Sequence, residues 1–367
     1  MASPDEPAKV LVIYTGGTIG MTRNERNALV PIANEFERQV RRYPGMHDPD
    51  YAGQFNDPTI LALPFVEGER RRIVYQIREY SPLLDSSNMG VHEWLKIAED
   101  IEESYEEFDS FVILHGTDTL CFTASALSFM LENLRKTVIV TGAQIPIFET
   151  RTDGKDNFIA ALILAGRNSI PEVCVVFNNQ LFRGNRTVKE SNNTLNPFRS
   201  PNAPPLARLG VDIVVDEGLI LRHEGEDTLK VFRGLNTNVD LIYMHPFIST
   251  ETVVNILRSK EGAVLLTYGA GNIPTNRPDL MAALQEAAQD KLIVNCTQCY
   301  EGHVSEIYEA GQKLEQSGVV SGMDMTLEAA LVKLSYVLGK GEWSYDEKKR
   351  KMKSSLRGEL TASGDRT

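Results

Sequence analysis

Short apolar runs alternate with amphipathic stretches through the first half of the chain. Residues 9–14, 73–75, 111–114, 137–140 and 173–177 are mostly apolar and β-branched, the pattern of strands buried on both faces. Between them, residues 91–108 set Trp94, Ile97, Ile101, Tyr105 and Phe108 at helical spacing. Residues 120–135 and 155–168 read as further helices, and 33–42 as a short one. Residues 21–31 are polar, charged and without period, which predicts a loop, placed as a lid over whatever the preceding turn holds. Such regular alternation predicts a right-handed, mostly parallel sheet covered by helices.

The pattern resumes after a polar interval that contains Arg222-His223-Glu224-Gly225-Glu226-Asp227. Strands are expected at 241–244, 263–268 and 292–294, and helices near 250–259, 278–290 and 326–338. Ser344-x-x-Glu347 has the form of a capping box opening a basic last helix. The expected fold is therefore α/β, with a larger N-terminal domain at 1–212 and a smaller C-terminal α/β domain at 241–367. The connection is placed at 213–240. At 367 residues, a single core would be unusually large.

Composition narrows the partners. A net charge of −12 disfavours nucleic acid or an anionic membrane surface. The first eight residues carry acids and prolines but no apolar stretch, so no signal peptide is expected. No apolar run approaches the length of about 18 needed to span a membrane. Four cysteines without a secretory signal point to a reducing, cytoplasmic setting. Neither a cofactor nor a metal is expected. His-Glu-x-x-His and Gly-x-Ser-x-Gly are absent, and Cys296-x-x-Cys299 lacks two further zinc ligands.

Candidate chemistry gathers where strands end. Thr15-Gly16-Gly17-Thr18 closes the first strand, and His115-Gly116-Thr117-Asp118-Thr119 closes the one at 111–114. Parallel sheets bind ligands at these carboxyl ends. The first turn lacks the spaced glycines of a dinucleotide site and the Gly-Lys-Ser/Thr of a P-loop. It offers the hydroxyls of Thr15 and Thr18 beside backbone that a substrate can approach closely, or simply a tight turn with a threonine cap. Asp85-Ser86-Ser87-Asn88, just before the helix at 91–108, suits either a helix cap or a small carboxylate.

Together, Thr15-Gly16-Gly17-Thr18-Ile19 and His115-Gly116-Thr117-Asp118-Thr119 resemble the two signatures of the bacterial-type L-asparaginase family, matched without a mismatch. The likeness runs from residue 9 to about residue 360. Leu83–Met89 is similar to the family's substrate-carboxylate loop, and the stretch from Gln180 to Lys189 to the element carrying its lysine. The missing leader and the 83–89 loop favour the cytosolic type I branch. The resemblance implies that Thr18 attacks the side-chain amide of L-asparagine, forming an acyl-enzyme and releasing ammonia. It further implies that Thr117 orients the hydrolytic water, that Asp118 binds the α-ammonium, and that Asp85, Ser86 and Ser87 hold the α-carboxylate. Lys189 would tune Thr117. A base there must give up its proton near pH 7, which a neighbouring Asp118 opposes; a protonated Lys189 acts electrostatically instead.

The resemblance also implies a homodimer or homotetramer whose active sites are shared between subunits, with Asn272 as the intruding element. No tyrosine lies between Ile19 and Arg42, so the lid phenol of the periplasmic branch is missing and Tyr308 is the expected substitute. Type I relatives are activated by asparagine at a separate site, to which 296–299 would contribute. Animal members can carry ankyrin repeats after this unit; none follows here, which predicts a short form or a truncated chain. Two rival readings remain. One is the asparaginase-like subunit of an archaeal tRNA-dependent amidotransferase, which would need an extension before its first signature. The other is a non-catalytic amino-acid sensor, against which the intact Thr18, Thr117, Asp118 and Lys189 speak. A lysophospholipase activity, attributed to some animal relatives, would lack its elbow serine.

Overall fold

The first apolar run forms the strand Ala8–Gly16, paired in parallel with Ile73–Leu84 on one side and Ser110–Leu114 on the other. Leu11 and Ile13 enter one core, while Val10, Val12 and Tyr14 enter the core on the opposite face. Both faces being covered, the run has no polar alternation. The computed structural model describes residues 6–65, 71–222, 227–305 and 309–362.

Thr137–Thr141 and Val173–Phe177 extend the parallel set to five strands. Antiparallel strands complete a nine-stranded sheet at both edges: Leu61–Ala62 on one side, and Gln180–Arg183, Ala207–Leu209 and Ile213–Val215 on the other. Ile213–Val215 thus belongs to this sheet, although it lies in the interval expected to connect the domains. A second, four-stranded parallel sheet runs Val239–Tyr243, Gly262–Thr267, Leu292–Thr297 and Val320–Ser321. The expected α/β architecture, a larger parallel-rich unit and a smaller α/β unit, is what the chain adopts.

One helix joins the two. In Leu120–Met130 ten residues are buried, because the helix lies between the first sheet and helix Leu327–Gly339. A helix apolar all round has this fate. Phe129 packs on Tyr336 with ring centroids 5.6 Å apart, within a core that runs across both units. Among the described residues no helix is long and apolar enough to cross a membrane.

Several element limits differ from expectation. Residues 21–31 are not a plain loop but a hairpin, Met21–Arg23 against Leu29–Pro31. Its turn is built by asparagines: Asn24 Oδ1 accepts from the N–H groups of Arg26 and Ala28, and Asn27 takes φ 60°. Polar turn chemistry of this kind carries no hydrophobic period. The helix expected over 91–108 ends at Glu103, with Tyr105 and Phe108 still buried in the turn beyond it. The helix expected over 120–135 ends at Met130, because Leu131–Glu132 pairs with Lys230–Val231. Residues 33–42 shorten to Phe36–Arg41, and the strand at 73–75 lengthens to Leu84. The capping box at Ser344 and Glu347 is formed.

Candidate active site

Parallel strands deliver their carboxyl ends to one edge, and glycines let those ends touch there. A Cβ on Gly17 would stand 2.4 Å from the Gly116 nitrogen, and one on Gly116 would stand 2.6 Å from Ser86 Oγ. A Cβ on Gly16 would stand 2.2 Å from the Leu84 carbonyl oxygen, and one on Gly142 would stand 2.3 Å from that of His115. Only glycine permits this approach, and at Gly16 (φ 132°) and Gly17 (φ 85°) the backbone conformation also requires it. The two signatures and the 83–88 loop therefore form one packed floor.

Hydrogen bonds tie the same pieces. The Gly17 N–H donates to Leu84 O at 3.2 Å, and Thr119 Oγ1 donates to Ser86 O at 2.6 Å. Asp85 caps the single turn Ser86–Asn88, accepting from the Ser87 N–H and hydroxyl at 2.9 Å each. Asp85 and Ser87 remain exposed and Ser86 is buried.

The two hydroxyls of the first turn differ in burial. Thr15 is buried and donates to Leu114 O at 2.9 Å, tying the ends of two neighbouring strands. Thr18 is half-buried and opens the turn Thr18–Gly20. His115 is fully buried between Gly116 O, 2.6 Å from Nδ1, and Thr123 Oγ1, 2.9 Å from Nε2. Burial holds its imidazole down to about 4, so it is a neutral strut and not a base.

Lys189 reaches this edge from another direction. The chain leaves the sheet after Gln180–Arg183, turns through Gly184–Arg186 and returns as Val188–Lys189, paired with Phe198–Arg199. The turn is anchored in the second unit, where the buried Arg186 guanidinium meets the Asp324 carboxylate at 2.9 and 3.1 Å. From there Lys189 Nζ donates to Thr117 Oγ1 at 2.9 Å and to Asp118 Oδ1 at 2.7 Å. The Asp118 side chain is 69% exposed, leaving its second oxygen open to a cavity of about 470 Å³. Asp118, Lys189, Glu190, Ser191, Asn192 and Asn193 line that cavity.

Residues 9–220 match the model of the asparaginase N-terminal domain, and residues 238–352 that of the glutaminase/asparaginase C-terminal domain. The chain belongs to the asparaginase family. It is 47% identical to a Dirofilaria immitis protein named L-asparaginase, over 97% of this chain and 61% of that one. It is 45% identical to a Mus musculus protein named 60 kDa lysophospholipase, over 96% of this chain and 62% of that one. The chain thus spans about three fifths of the length of these relatives. The crystal structure of Vibrio cholerae L-asparaginase I superposes with a TM-score of 0.82 at 40% identity, covering 97% of this chain and 99% of that one.

Within this asparaginase-family chain, Thr18, Thr117, Asp118, Lys189, Asp85, Ser86 and Ser87 lie along one sheet edge. Asn272 does not join them: it sits at the carboxyl end of the second sheet, bridged to Tyr268 through backbone bonds in both directions. Tyr308 lies outside the described residues. One residue that sequence reasoning passed over is Gln144, whose Oε1 accepts from Thr117 Oγ1 at 3.3 Å. Its signal was positional, since it follows the end of the parallel strand Thr137–Thr141.

Proposed function

We propose that this chain hydrolyses the side-chain amide of L-asparagine to L-aspartate and ammonia. The Lys189–Thr117–Asp118 cluster carries this reading, because it sets a hydroxyl, an amine and an open carboxylate within one another's reach beside the Thr18 turn. Thr18 is the nucleophile: its oxygen bonds to the amide carbon as its proton leaves, and collapse of the adduct expels the amide nitrogen as ammonia. Thr117 then positions water against the resulting ester, and Lys189 lowers the cost of negative charge near that oxygen. Asp118 pairs with the substrate's α-ammonium through its exposed oxygen, while Asp85, Ser86 and Ser87 receive the α-carboxylate. Tyr308 is the phenol proposed to relay the proton of Thr18: its oxygen accepts that proton as its own passes on towards the departing amide nitrogen, which leaves as ammonia.

Asn272 is proposed to serve a neighbour's site, which makes the working form a homodimer or homotetramer. All four cysteines are unpaired thiols, which supports the cytoplasm as compartment. Activation by asparagine at a separate site near Cys296 and Cys299 belongs to the same reading. The name of the mouse relative raises a lipid substrate, but a cavity walled by Asp118, Lys189 and Glu190–Asn193 is mostly polar and suits an acyl chain poorly.

Ammonia release from asparagine and from glutamine tests the reaction directly. Turnover of asparagine that disappears in Thr18→Val is expected. A folded protein that releases no ammonia from either amide would overturn it. A single methylene is worth only about 1–3 kcal/mol, so both amides need measuring.

A further inference from the structure

Gln144 has no part in the reaction as set out above, yet its side chain touches two walls of the site. The buried carboxylate of Asp153 accepts from the N–H groups of Gln144, at 3.0 and 3.2 Å, and of Ile145, at 2.9 Å. Asn157, hydrogen-bonded to Asp153 and to Gly142 O, braces the same turn. The amide is held out from a rigid base. Its Nε2 donates to the carbonyl of Thr194 at 3.1 Å, and its Oε1 faces Thr117 Oγ1 at 3.3 Å.

Donor and acceptor rules fix the sense of this chain. A carbonyl only accepts, so the nitrogen of the amide must face Thr194 and its oxygen must face Thr117. An ammonium only donates, so Lys189 occupies one lone pair of the Thr117 hydroxyl. The single proton of that hydroxyl must then point at Gln144, and its second lone pair is left free. We propose that Gln144 is the positioning residue that orients the Thr117 hydroxyl and couples it to the loop 190–194 walling the cavity. This rests on the proposed role of Thr117 and adds a residue that sets its geometry.

The coupling is testable because a protonated glutamic acid copies glutamine here. In Gln144→Glu, the neutral acid donates its O–H to Thr194 O and accepts from Thr117. The carboxylate can accept only, and repels the Thr194 carbonyl. Relative to wild type at each pH, kcat of Gln144→Glu should rise at least tenfold as pH falls from 8 to 5. Gln144→Met, which keeps volume but neither bond, should show kcat lowered about 10- to 100-fold at all pH values with KM changed less than threefold. Thermal unfolding of each variant, taken at the same pH values, separates this from a loss of fold. The Glu variant also carries its own control, since one protein is compared with itself across pH. A flat ratio for Gln144→Glu together with near-normal kcat for Gln144→Met, in a wild type that does hydrolyse asparagine, overturns the positioning role and leaves the reaction standing. A wild type without amide hydrolysis takes down both.

Discussion

The two sheets end in edges that differ in how completely they are closed. Along the first, Gly16, Gly17, Gly116 and Gly142 have no room for a Cβ, and the strand ends are stitched by Thr15, Thr119 and Lys189. Along the second, Gly271 and Gly322 are closed off by Val304 and Cys296, but a Cβ on Gly269 or Gly302 would meet nothing within 4 Å. Tyr243 (53% exposed), Phe247 (93%) and Tyr300 (61%) stand in water there. An edge saturated by its own contacts holds side chains still, which chemistry requires. An edge with two open glycines and bare aromatics has contacts left to make. The contrast supports the proposal that the second edge, with Asn272, is completed by another copy of this chain.

The largest effect should come from the hydroxyls of the packed edge. Thr18→Val and Thr117→Val should each lose nearly all turnover with the fold retained, measured by ammonia release and circular dichroism. Survival of more than about a tenth of wild-type turnover, a change under 1.4 kcal/mol, would refute the assigned role. Thr117 is buried, unlike an exposed turn residue, so Thr117→Val will also show some loss of stability.

Glycine scanning sharpens the comparison next. Gly17→Ala puts a methyl into the Gly116 backbone at a left-handed φ, and should cost about 3 kcal/mol or more. Gly269→Ala meets only the strain of φ 48°, about 1 kcal/mol. Equal destabilisation in urea unfolding would erase the distinction between the edges.

The packed edge also contains a buried neutral imidazole. Neutral His115, held at about 4 against an ordinary 6.5, binds its proton less readily folded than unfolded. The stability it contributes is complete above pH 6.5 and is lost as pH falls towards 4, roughly 3 kcal/mol at most. His115→Gln should flatten that part of the stability–pH curve. An unchanged curve would place the acid sensitivity elsewhere.

Subunit mixing probes the open edge. Inactive Thr18→Val and inactive Asn272→Ala chains, co-refolded, should recover about a quarter of wild-type activity. Random pairing makes half the dimers mixed, each with one intact site. No recovery after verified exchange counts against shared sites. The smallest effect is reserved for Tyr14→Phe. The Tyr14 hydroxyl is buried without a hydrogen-bond partner among the described residues and lies against Gly20, so removing it should leave turnover unchanged and stability equal or higher. A fall in turnover would make Tyr14 the phenol that serves Thr18.

Much of the first edge was readable in advance because its parts lie at the ends of apolar runs. A strand buried on both faces is a continuous signal, and the glycine-threonine turns that stop it stand out. The hairpin at 21–31 differs from the expected loop because asparagine turns leave no hydrophobic period. Helix ends at Glu103 and Met130 were overrun because their apolar pattern continues into Tyr105 and Leu131, buried by tertiary packing outside a helix.

The sequence by itself determined the α/β alternation, the two units, and the motifs Thr15–Ile19 and His115–Thr119 that mark the family. Those are local properties: period, turn residues and short-range order. Only the tertiary structure decided that Thr15 is a buried strut while Thr18 stays half-buried, that Lys189 comes back to Thr117 from 72 residues away, and that Gln144 bridges Thr117 to Thr194. Each of these depends on a distance between segments far apart in the chain. Lys189 depends further on Arg186 finding Asp324, 138 residues on, in the other unit. No periodicity encodes such a meeting; it exists only once both cores have formed and hold the two segments in place.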